Sequence, residues 1–81
     1  MKTIIIFNDI ERPLQFLLVD GDYSRFHGVF VNSVNGNGYE DEFCDWMFEK
    51  ETGERKHKWS DDKSLLENKN WDKVAICTWI P

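Results

Sequence analysis

The sequence predicts one small α+β domain: a sheet of three to four mostly antiparallel strands with two helices on one face, in the order β-β-β-α-α-β. Three observations predict it. Apolar, β-branched runs recur near both ends and in the first half of the chain. An acidic stretch in the middle has the periodicity of a helix. The chain has 81 residues, enough for a single domain over 1–81 and too few for two.

Thr3-Ile4-Ile5-Ile6-Phe7 is apolar on both faces and reads as a central strand. Pro13 cannot donate to a ladder and separates it from the next segment. Leu14–Val19 reads as a second strand, with a short helix as the alternative because β-branching is sparse. Asp20-Gly21-Asp22 is turn chemistry, and Gly28–Val34 is a third strand. Asn35-Gly36-Asn37-Gly38 turns the chain into the acidic segment. Over Glu40–Lys50 the apolar residues Phe43, Cys44, Trp46, Met47 and Phe48 cover one broad helix face. Gly53 ends that helix or turns a small hairpin with Glu54–Trp59. Ser60 is a good N-cap for a short helix over Asp61–Glu67. Asp72–Ile80 is the last strand.

Mass and surface scaling give a folded surface of roughly 5,000 Å². Twelve aromatic side chains are hard to bury in a body that size, so some are expected at the surface, where they favour binding. The net charge of −5 is concentrated. Residues 39–54 hold seven carboxylates and one cation, and residues 55–63 hold four cations and two carboxylates. Overall acidity argues against direct nucleic-acid binding, which needs cationic surface to displace counterions. No apolar run approaches the roughly 20 residues that span a bilayer, so no membrane partner is expected. With Cys44 and Cys77 as the only cysteines, the expected setting is a reducing cytoplasm with both thiols free.

Each candidate chemistry meets a simpler reading. Asp20-Gly21-Asp22-Tyr23-Ser24 begins like a calcium loop, but Arg25 stands where glycine is needed and Val31 where a bidentate glutamate is needed. Cys44, Cys77, His27 and His57 lack paired metal-ligand spacing. No Ser or Cys sits in a nucleophile signature, and Gly36-x-Gly38 lacks the rest of a dinucleotide loop. The expectation is therefore no enzyme, no cofactor and no metal. Arg55-Lys56-His57-Lys58-Trp59 mixes cations with an aromatic, as a phosphate or base site does; a solvated connection balancing the acidic helix is the simpler reading.

Three stretches carry a family resemblance. They are Val19 to Asn32 (with Asp22-Tyr23-Ser24 and Gly28-Val29-Phe30-Val31-Asn32), Trp59-Ser60-Asp61-Asp62-Lys63, and Lys73 to Pro81. In these the chain resembles small accessory proteins encoded by tailed bacteriophages. It departs from their pattern at Arg25, a hydrophobic position there, and at Thr78-Trp79, where Gly-Phe is expected. The resemblance implies a setting, the infected bacterial cytoplasm, and not a mechanism.

Two functional expectations follow. The first is a host-takeover or anti-defence inhibitor that binds a host protein stoichiometrically, including by nucleic-acid mimicry. Its contact surface is the acidic helix face Glu40, Asp41, Glu42, Asp45 and Glu49, with Asp22 and the aromatics Tyr23 and Trp46. The simpler reading of that face is ordinary solvation. The second is a module that sequesters a nucleotide signal with Arg25, His27 and Trp59. A homo-oligomer would suit it, because one domain this small encloses little volume.

Overall fold

The computed structural model describes residues 1–9, 12–31 and 38–80. Strands β1 (Lys2–Asp9) and β2 (Gln15–Asp20) are followed by a 3₁₀ turn at Ser24–Phe26 and a short β3 (Phe30–Val31). Helices α1 (Glu40–Met47) and α2 (Ser64–Glu67) precede the last strand, β4 (Lys73–Trp79). The expected sequence of strands and helices is present, with the 3₁₀ turn added between β2 and β3.

The sheet order is β2-β1-β4-β3, so β1 is interior as its apolar run predicts. The sheet is mixed, however, and not mostly antiparallel. β1 pairs antiparallel with β2, but β4 runs parallel to both β1 and β3. Connection length is the reason. A short link reverses the chain between β1 and β2. Both helices lie between β3 and β4, and β4 runs in the same direction as β1 and β3.

Strand alternation and register place Thr3, Ile5 and Phe7 on one sheet face with Leu17, Val19, Ala75 and Cys77. Phe43 and Met47 of α1 close over this face, and Phe26 and Val29 complete the buried cluster. Ile4 and Phe16 point the other way, are fully buried, and lie outside that cluster. Helix α2 packs on β2 and contributes no residue to the α1 cluster. The two helices therefore do not share one layer. The expectation of a common face fails because β1 is apolar on both sides and each side needs cover.

Element ends also differ from the sequence reading. Helix α1 stops at Met47 and not Lys50: Phe48 is extended, and it bridges to Arg55 in a small hairpin turned at Gly53. Helix α2 starts at Ser64, because Ser60 is held in backbone pairing with Phe16 of β2. Of the expected strand Gly28–Val34, Gly28 turns with positive φ and the part beyond Val31 lies outside the described residues, as does most of the Asn35–Gly38 turn.

Candidate functional site

The residues named from sequence fall into three places. Tyr23, Trp46 and Phe26 form one aromatic group between the 3₁₀ turn and α1, with ring centroids 5.0 Å apart for Tyr23–Trp46 and 5.5 Å for Phe26–Trp46. His57 stacks on Trp46 at 4.2 Å. Arg25 lies over Phe26 and bonds Glu42 at 2.8 Å. The Asp22 carboxylate accepts from both the backbone N–H and the hydroxyl of Ser24, which holds its pKa below the usual aspartate value. Trp46 and Tyr23 are thus half-buried and committed to internal contacts, and Glu42 has an internal partner. Asp41, Asp45 and Glu49 remain exposed, while Glu40 is half-buried. Lys56 Nζ donates to the Asp45 carbonyl, neutralising the carboxyl end of α1.

The three residues of the nucleotide expectation do not meet in one site. Arg25 is bound to Glu42 beside α1. The Nδ1 of His27 accepts from the backbone N–H of Ile76, at 3.2 Å, so His27 serves the sheet. Trp59 lies elsewhere, 5.0 Å from Phe7.

At Trp59 the structure has a cleft of about 190 Å³. It opens at the carboxyl ends of the parallel strands, on the α1 side of the sheet. Phe7 and Asp9 come from the end of β1, Val31 from β3 and Trp79 from β4. Open sheets place ligand crevices at this end. Phe43 and Met47 form part of the wall from α1, and Phe48, Arg55 and Trp59 come from the hairpin and its exit. Arg12 and Gln15 line it from the β1–β2 side. Phe7 is the hub: it stacks parallel to Phe43 at 6.4 Å and lies 6.4 Å from Trp79.

The charged groups lining the cleft, among the described residues, are Asp9, Arg12 and Arg55. Arg12 lies 3.6 Å from Asp9, with 65% of its side chain exposed. Arg55 sits over the Phe48 ring at 5.9 Å, and no ion pair involves it among the described residues. Neither cysteine lines the cleft, although Cys77 stands beside Phe7 in the sheet. Burial pushes the Cys77 thiol up to about 12, and its Sγ donates to the Phe26 carbonyl. Burial, then Glu40, Asp41 and Asp45, raises Cys44. Among the described residues no cluster of metal-ligating side chains is present, and no helix is long and apolar enough to cross a membrane.

Sequence reasoning singled out Trp59 and, within a basic patch, Arg55, but placed Phe7 and Trp79 only in strands and did not select Arg12. The signal linking them is the register Asp9↔Trp79, which exists only once β1 and β4 pair in parallel. Compared with family models, curated proteins and solved structures, the chain matches none.

Proposed function

We propose that the protein is a stoichiometric protein-binding domain, without turnover, that accepts one aromatic side chain of its partner in the cleft between Phe7, Trp59 and Trp79. In the setting implied by the resemblance of its sequence to phage accessory proteins, the partner is a host protein. The observation that carries the reading is the size and lining of the cleft. An apolar cavity of about 150 Å³ holds a benzene ring, whereas pockets for whole small molecules span about 300–1,000 Å³. At about 190 Å³, this cleft suits one ring and is small for a nucleotide.

Energetics favour a side chain over a free ring. Burying about 150 Å² of apolar surface yields roughly 4 kcal/mol before association costs, which supports millimolar binding at best. A useful complex needs surrounding contacts, and an anchor residue in a pocket is how protein interfaces concentrate energy. The acidic face is a weaker candidate centre, because its aromatics and Glu42 are committed to contacts inside the fold and Asp41, Asp45 and Glu49 are solvated.

The test is an NMR titration with blocked tripeptides Ac-Gly-Phe-Gly-NH₂ and Ac-Gly-Ala-Gly-NH₂. The phenylalanine peptide is expected to shift the indole N–H signals of Trp59 and Trp79 at millimolar concentration. The alanine peptide leaves them in place. Trp59→Ala removes the response of Trp79, and the double change Asp45→Lys, Glu49→Lys preserves it. Equal responses to the two peptides, or shifts confined to the acidic face, refute the assignment.

A further inference from the structure

The chain is acidic, yet the cleft has more positive than negative charge: Arg12 and Arg55 against Asp9. Resting on the reading above, we infer that the segment it takes is acidic as well as aromatic: a ring flanked by Asp or Glu, with the ring between Phe7 and Trp59 and the carboxylates on Arg55 and Arg12.

The hairpin geometry supports this. Phe48 and Arg55 are a bridged pair, so their side chains leave the same side of the hairpin, toward the cleft that both line. Glu49 and Glu54 are the next residues along each arm and are joined through their backbones. Alternation turns their side chains to the opposite side. Arg55 therefore faces the cleft while the hairpin's adjacent carboxylates do not.

Helix periodicity does the same for α1. Phe43 and Met47 line the cleft, and Asp41 and Asp45 stand about 160–200° round the helix from Phe43. At physiological salt, charge is screened over about 8 Å. Asp41 and Asp45 on the far side of α1 then weigh little at the rim, Asp9 offsets part of the Arg12 charge, and Arg55 sets the local sign. Arg55 has only the Phe48 ring as a described partner, so its planar donors are available to a carboxylate. Arg12 is ion-paired with Asp9 at 3.6 Å, but most of its side chain is exposed, so a second carboxylate can approach it.

The experiment compares three blocked peptides of equal length, Ac-Glu-Phe-Glu-NH₂, Ac-Gln-Phe-Gln-NH₂ and Ac-Lys-Phe-Lys-NH₂. Binding is read from the Trp59 and Trp79 indole signals at low and at physiological salt. The expected order is Glu over Gln over Lys. Two exposed ion pairs give the Glu peptide a gain of about 2- to 30-fold over Gln at low salt, shrinking as salt rises. Arg55→Gln lowers that gain, read as the ratio of Glu-peptide to Gln-peptide affinity measured on the same variant. If the Gln or Lys peptide binds as tightly as the Glu peptide, the acidic preference is wrong and the aromatic cleft stands. If none of the three moves either indole, the cleft reading itself fails.

Discussion

Thr3→Val tests whether one buried hydroxyl holds the start of the sheet to the turn that carries Tyr23. Thr3 is fully buried. Its Oγ1 donates to the Gly21 carbonyl at 2.7 Å and accepts from the Tyr23 N–H at 3.0 Å. Gly21 has φ of +113°, and a Cβ there would lie 3.1 Å from the Tyr23 ring, so the turn has little freedom to rearrange. Valine keeps the shape and removes the hydroxyl, leaving a donor and an acceptor without their partner. Each orphaned group costs about 1–3 kcal/mol when buried. Both bonds are only partly buried, so the lower half of that range applies to each and the sum is about 2–4 kcal/mol. Total stability at this size is about 4–12 kcal/mol, so the loss is large. Thr3→Ser keeps both bonds and loses one buried methyl, about 1 kcal/mol. Hydrophobicity alone ranks valine above serine; the hydrogen bonds reverse the order. Urea unfolding followed by tryptophan fluorescence measures both variants, with slopes compared to confirm that only stability changed. A valine variant as stable as the serine variant, or more so, refutes the reasoning.

Two further outcomes follow from titration and burial. His57 is held below its ordinary pKa of 6.5, first by burial against Trp46 and then by Lys56. The unfolded chain therefore takes up this proton first, and stability present above pH 6.5 is lost as pH falls from there through the folded value; His57→Gln should flatten the slope of urea-derived stability between pH 7 and 5.5, and an unchanged slope removes His57 as its source. Cys77, buried with its thiol near 12, should resist iodoacetamide at pH 8 until the protein unfolds, with half-buried Cys44 labelled first, as mass spectrometry of timed samples would show; native labelling of Cys77 ahead of Cys44 contradicts the packing.

Local pattern was legible where one periodicity dominated. The Thr3–Phe7 run, Lys73–Trp79 and the apolar spacing of Phe43 and Met47 located β1, β4 and α1. Ends were less legible, because long-range backbone pairing decides them. Phe48 continues the apolar helix face in sequence, yet it leaves the helix to pair with Arg55. Ser60 has the chemistry of an N-cap, yet its backbone is taken by Phe16, and its hydroxyl accepts only from Asp62 within a turn. Neither competition is visible in the local residues. The surplus of aromatics was legible as a count, and Phe30, Tyr39 and Trp79 are indeed exposed. Which of them meets another aromatic was not.

That last point follows from strand direction. In the parallel register Asp9 stands beside Trp79, so the carboxyl ends of β1 and β4 coincide and Trp79 comes within 6.4 Å of Phe7. In an antiparallel pairing of the same residues, Trp79 would lie beside Thr3, at the far end of β1, roughly 13 Å from Phe7 at 3.3 Å per residue. Phe7 and Trp59 would still touch, but the third wall would be missing and Arg12 and Arg55 would flank an open surface. The cleft is thus a product of the parallel direction of β4. A reading that predicts a mostly antiparallel sheet must miss it, however well each strand is identified. It follows that the acidic helix, the most conspicuous feature of the composition, contributes Phe43 and Met47 to the wall of the site through its apolar side, while Asp41 and Asp45 stand on the opposite, exposed side.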